Sequence, residues 1–104
     1  RAAKSETKIT LGEVLEKTSL ILGEGGSLFL ILPYIRFKEL IKLSNHFNFC
    51  VHRVRLVFSF EDGKPERFLV QLTNYQAFTE EMKPLIIFKA KGIYSEEMDK
   101  ILTG

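Results

Sequence analysis

Gly25-Gly26-Ser27-Leu28-Phe29-Leu30-Ile31-Leu32-Pro33 is the most apolar run in the chain. A strand with one wet face alternates apolar and polar residues. A continuous apolar run of this length instead reads as a strand covered on both faces, as in parallel α/β sheets. The two glycines form a turn before it, and Pro33, which has no N–H to give to a ladder, ends it. Helical spacing runs into the strand and out of it again, so the chain reads as an α/β domain. The run is much too short to span a membrane.

The rest follows in order. Residues 1–9 are mostly polar and charged and read as a loop or a severed connection. Thr10-Leu11-Gly12-Glu13 fits a capping box, in which the Thr hydroxyl and the Glu carboxylate satisfy free N–H groups at a helix start. Leu11, Val14, Leu15, Thr18, Ile21 and Leu22 then share one helical face, and Gly23 is placed to stop the helix in a left-handed conformation. After Pro33 helical spacing returns over Ile35–Phe47, with Phe37, Leu40, Ile41 and Ser44 on one face. Phe49–Phe60 is extended. Cys50, His52, Val54, Leu56, Phe58 and Phe60 fall on one side, and Val51, Arg53, Arg55, Val57 and Ser59 on the other. Glu61-Asp62-Gly63-Lys64-Pro65 contains Asp-Gly and predicts a hairpin turn, with Arg67–Thr73 returning antiparallel. Asn74–Pro84 reads as irregular, with a short helical turn near Thr79–Met82. Leu85–Phe88 is a short strand. Ser95 caps a last helix whose first turn carries Glu96 and Glu97 at the positive dipole end, with Met98, Ile101 and Leu102 as its docking face. No linker divides the chain, so residues 1–104 read as one domain.

Little chemistry follows from these residues alone. Gly23, Gly25 and Gly26 follow a helix and open a strand, whereas a dinucleotide loop does the reverse. His46 and His52 have no carboxylate or cysteine partners at metal-ligand spacing. The lone Cys50 reads as a small hydrophobe inside a strand, and a single cysteine makes a reducing cytoplasm the expectation. No serine-hydrolase elbow occurs. Glu80-Glu81 and Glu96-Glu97 are adjacent pairs, which on helices do not face one another. The net charge of +2 is too small to establish a nucleic-acid partner. Arg53 and Arg55 share a strand face, and the hairpin brings Lys64 and Arg67 toward them, an arrangement that could hold RNA phosphates. The competing reading is an ordinary solvated hairpin, since neighbouring acids nearly cancel the charge.

The element order resembles the carboxyl-terminal half of a class I methyltransferase, a Rossmann-like sheet in which only strand seven is antiparallel. By that resemblance Leu28–Leu32 is strand five, Phe49–Phe60 is strand six, and Arg67–Thr73 is strand seven inserted between them. Particular residues resemble the bacterial tRNA1(Val) (adenine-37-N6)-methyltransferase family. Arg1-Ala2-Ala3-Lys4 resembles the Arg-x-x-Ala-Arg-His segment after that family's catalytic loop, although Ser5 stands where the family has His. Ile9-Thr10-Leu11 with Leu15 resembles its Leu-Ser/Thr helix start. Gly26–Pro33 is similar to its Gly-x-Phe-x-Val-Val-Leu-Pro strand. Lys64-Pro65-Glu66-Arg67-Phe68-Leu69-Val70 resembles its Lys-Pro-x-Arg-x-Leu-Leu hairpin. Leu85-Ile86-Ile87 with Tyr94-Ser95-Glu96-Glu97 resembles its closing Leu-x-Ile…Tyr-Thr-x-Glu.

The resemblance implies methyl transfer from S-adenosylmethionine to N6 of an adenine in tRNA. The family's Asn-Pro-Pro-Phe/Tyr motif and its Gly-rich cofactor loop have no counterpart here. The chain, which opens on Arg1, is therefore expected to be a piece of a longer parent, with no catalytic or cofactor-binding residues of its own and no activity alone. Arg1, Lys4, Arg53, Arg55, Lys64 and Arg67 are the candidate RNA contacts, and no metal is expected. Other acceptors, in rRNA, DNA or a protein glutamine, fit the same fold. A small non-catalytic binding module is the alternative reading. In the full fold strand four flanks strand five. Without it, Ser27–Leu32 would be an apolar edge prone to homodimerisation or aggregation.

Overall fold

The structure, a computed structural model, describes residues 9–104. Its elements are α1 (Leu11–Ile21), β1 (Ser27–Pro33), a 3-10 turn (Tyr34–Arg36), α2 (Phe37–His46), β2 (Cys50–Phe60), β3 (Pro65–Thr73), β4 (Glu80–Glu81), β5 (Leu85–Ala90), β6 (Ile93–Tyr94) and α3 (Glu96–Thr103). All six strands belong to one sheet, in the order β1-β3-β2-β5-β6, with β4 also against β2. β3 is antiparallel to both of its neighbours, so β1 and β2 run parallel and α2 is their crossover. The hairpin strand therefore returns into the gap between β1 and β2, the placement that the family resemblance implied.

Two of the three helices, α1 and α3, start at a side-chain cap. Thr10 Oγ1 accepts from the Glu13 N–H at 3.1 Å, and Glu13 Oε1 accepts from the Thr10 N–H at 3.0 Å. That reciprocal pair is the capping box, and the bonds from Thr10 hold the Glu13 carboxyl below the usual glutamate range. Ser95 caps α3 by accepting from the Met98 N–H.

The register sorts the sheet into two faces. Leu28, Leu30 and Leu32 stand opposite Leu72, Val70 and Phe68, which in turn face Val51, Val54 and Leu56. α1 and α2 cover this face. Leu11, Leu15, Leu40, Phe49, Val54, Phe68, Val70 and Leu72 are buried together there. The opposite face carries Phe29, Ile31, Leu69, Gln71, Arg53 and Arg55. Phe29 and Ile31 are 71% and 64% exposed.

Several local expectations are corrected. Leu22, not Gly23, caps α1, in extended conformation, and the left-handed residue of the turn is Gly25 at φ 75°. Ile21 is exposed, and Leu22 beside it packs against the core instead. β2 does not alternate simply. Val51 pairs with Leu72 and Arg53 with Gln71, leaving His52 as an extra residue. This bulge moves Val51 onto the helix-covered face. Residues 79–82 are not a helical turn. Thr79 Oγ1 donates to the Val51 carbonyl at 2.7 Å and the Met82 N–H to the Val54 carbonyl at 2.7 Å, drawing the segment into β4 along β2. His52 Nδ1 also bonds the Phe78 carbonyl at 2.9 Å. Cys50 is half-buried rather than buried. In α3 only Met98 of the expected docking residues is half-buried; Ile101 and Leu102 are exposed.

Candidate functional site

Because β1 and β2 are parallel, their carboxyl ends lie at one end of the sheet, where open α/β sheets bind ligands. The β2–β3 hairpin projects there, next to the start of α2. Pro33, Tyr34, Ile35, Phe37, Lys38, Pro65 and Glu66 line an open cavity of about 620 Å³. Tyr34 and Phe37 stack at 5.7 Å, and Ile35 is 89% exposed. Arg36 is held by Glu39 through two hydrogen bonds of 2.9 and 2.8 Å. That pairing raises the Arg36 pKa and lowers that of Glu39. The cavity's one carboxylate, Glu66, accepts from Ser59 Oγ at 2.6 Å. This wall is apolar and aromatic with a basic margin. It can stack a planar group and attract an anion, but it holds no acid–base pair.

The candidate cations fall into three groups. Arg53 and Arg55 do share the open face, opposite Gln71 and Leu69. Both are already paired with acids: Arg53 lies 3.6 Å from Glu80, and Arg55 binds Glu97 and donates to the Lys83 carbonyl. Arg55 thus ties α3 to the sheet and satisfies the gap between β4 and β5. Arg67 stands opposite Val57, one step further along the same face, and Lys64 lies in the hairpin turn. Both are exposed, with no acid in ion-pair reach among the described residues. Arg1 and Lys4, with the segment that resembles the family's post-loop motif, lie outside the described residues.

A second concavity, about 440 Å³, sits on the open face between Phe29, Ile31, Leu69, Gln71, Arg53, Arg55 and Met82. Among the described residues no group of three His, Cys, Asp or Glu could hold a metal.

Asn74 is a residue the sequence did not single out. Its amide donates to the Gly23 carbonyl at 2.9 Å and accepts from the Gly26 N–H at 3.0 Å. It clamps the α1–β1 turn to the end of β3. The Gly26 N–H also meets the Gly23 carbonyl at 3.0 Å, so this donor is committed within the turn.

No family model matches the chain, and no curated protein matches it. A solved structure does: a predicted O-methyltransferase, protein Atu636 from Agrobacterium tumefaciens. The TM-score is 0.75 at 20% sequence identity, over 88% of this chain and 45% of that one. The likeness shows the fold. This chain has the mixed α/β architecture of a methyltransferase structure and spans less than half of that structure's length.

Proposed function

We propose that this chain is the carboxyl-terminal part of an S-adenosylmethionine-dependent methyltransferase. The observation that carries the reading is β3, antiparallel and inserted between the parallel β1 and β2, within a fold similar to a predicted methyltransferase over 88% of the chain. β1, β3 and β2 are then strands five, seven and six. In this reading the cofactor and the catalytic groups belong to the parent protein's other half.

Within that reading the acceptor is N6 of an adenine in tRNA. Support comes from the ordered sequence matches, Gly26–Pro33 and Lys64–Val70 above all, and from Lys64 and Arg67 standing exposed beside an aromatic wall at the carboxyl end of the sheet. A second reading, an oxygen acceptor, is favoured by the description of the Agrobacterium structure as a predicted O-methyltransferase.

The test uses the product of the whole gene that encodes this chain. Incubation with isotope-labelled S-adenosylmethionine and unmodified tRNA, followed by nucleoside mass spectrometry, is expected to yield labelled N6-methyladenosine. Label in a small hydroxylated acceptor and none in RNA would move the assignment to oxygen. A gene product that does not bind S-adenosylmethionine, and has no Asn-Pro-Pro-Phe/Tyr upstream of Arg1, would remove the methyltransferase reading altogether.

A further inference from the structure

We infer that the cavity between the start of α2 and the β2–β3 hairpin holds one unpaired RNA nucleotide, its base stacked on Tyr34 and its phosphate held by Lys38 and Lys64. The inference rests on the reading of an RNA acceptor and adds the place where that RNA is gripped. In that reading the acceptor adenine meets catalytic groups of the parent protein's other half, so the nucleotide held here is one that flanks it.

The stacking platform is built from the core outward. Phe68 is fully buried, and Phe37 packs edge-on against it at 5.0 Å. Tyr34 lies over Phe37 at 5.7 Å, with 22° between the ring planes. The column thus ends on a ring that is anchored from below and still 38% exposed. Little side-chain freedom remains to be lost when a base settles on such a ring, and every base has a face that stacks. Ile35 stands next to Tyr34 with most of its side chain in solvent, so its apolar surface is left over for a ligand.

Two concavities adjoin Tyr34, and charge tells them apart. The one toward β4 is lined also by Val54, Leu56, Thr79 and Glu81, so it carries a carboxylate and no cation. The one toward the hairpin, about 620 Å³, has Lys38 in its lining. Lys64 is next in the chain to its Pro65, and Arg67 stands opposite its Pro33 in the strand register. All three cations are exposed, and none has an acid in ion-pair reach among the described residues. The lining's single carboxylate, Glu66, is outnumbered by them and already accepts from Ser59 Oγ. A space of this size takes a nucleotide. A nucleotide presents a planar ring with an anion beside it, and this cavity offers an aromatic ring with ammonium groups beside it.

The test is fluorescence anisotropy of a labelled, unstructured oligoribonucleotide with the product of the whole gene that encodes this chain. Tyr34→Ala is expected to raise the dissociation constant at least about fivefold, and Tyr34→Phe, which keeps the ring, to restore it. Ile35→Glu changes an exposed side chain and sets a carboxylate near the phosphate. It should weaken binding by a similar factor with native thermal melts, and it carries the test if Tyr34→Ala loosens α2. Lys38→Ala should lower the slope of log Kd against log salt by about 0.7, the share of one phosphate contact on a single strand, whereas Tyr34→Ala should leave that slope unchanged. Failure of the unaltered protein to bind the oligoribonucleotide, or binding indifferent to both Tyr34→Ala and Ile35→Glu, would overturn the inference. Tighter binding of the matching deoxyribonucleotide would overturn its assignment to RNA. Nucleoside mass spectrometry of the methylated product separates this inference from the reading beneath it. Label outside adenine N6, with the Tyr34 effect intact, unseats the acceptor and leaves this site standing. Full N6 methylation, with binding indifferent to both variants, does the reverse.

Discussion

The two faces of this sheet are made from alternate residues of the same strands, yet they are finished differently. On one, Leu15, Leu40, Phe68 and Leu72 are fully buried beneath α1 and α2. On the other, Phe29 and Ile31 lie in solvent beside guanidiniums paired with acids. β1 carries both, one residue apart. Its composition is that of a strand covered on both sides, but its surroundings cover only one. The difference teaches that β1 is an interior-type strand standing at a boundary, and the fold likeness, covering 45% of a larger methyltransferase-like structure, is consistent with such a boundary.

Substitutions can break this contrast if it is wrong. Phe68→Ala empties a fully buried site packed edge-on against Phe37 at 5.0 Å and should cost about 3–5 kcal/mol in urea denaturation. Phe29→Ala, on the open face, should stay within about 0.5 kcal/mol for the dilute monomer. Comparable losses at the two sites would mean that the open face is closed in solution.

Gly26→Ala is next. Its Cβ would come 2.4 Å from Leu22 Cγ and 2.9 Å from the Gly23 carbonyl, and the second of these is backbone. A loss of about 1–3 kcal/mol is expected, since the turn must shift against the Asn74 clamp. Thr10→Ala removes the cap of the helix over the closed face and should cost about 1 kcal/mol.

The smallest effect is one of pH. Glu13 and Glu39 both have folded-state pKa values below the ordinary 4.5, through hydrogen bonds from Thr10 and Arg36 respectively. A depressed carboxyl stabilises the fold above the ordinary value and loses that contribution as pH falls through the folded one. Thermal melts should therefore decline slightly below about pH 4.5, less so in Thr10→Ala.

Several local signals were legible in the sequence where the partners are near in the chain, although the helix stop expected at Gly23 falls at Leu22. The Thr10–Glu13 box, the Asp62-Gly63 hairpin and the Ser95 cap all occur as read, because each closes within a few residues. The insertion of β3 between β1 and β2 came from the family resemblance and not from periodicity. What stayed hidden depends on distant partners. Thr79 and Met82 join β2 through bonds that no local pattern encodes. The bulge at His52 breaks a two-residue alternation that looked regular. Arg53 and Arg55 read as free cations because Glu80 and Glu97, their partners, lie far along the chain. Asn74 was invisible for the same reason, its acceptor and donor being at Gly23 and Gly26. The candidate site was thus legible as a line of cations, but not as one in which only Lys64 and Arg67 lack an acid partner among the described residues.

The central claim, that among the described residues β1 has one paired edge and one open edge, is tested most directly by amide hydrogen exchange resolved along Leu28–Leu32 in a chain of residues 1–104 at dilution. Since the Asn74 N–H bonds the Gly26 carbonyl, ladder alternation turns the amides of Leu28, Leu30 and Leu32 toward β3; the account predicts slow exchange at these three and fast exchange at Phe29 and Ile31. Uniformly slow exchange at all five amides at high dilution would contradict it, because the outer edge would then be covered within a single chain.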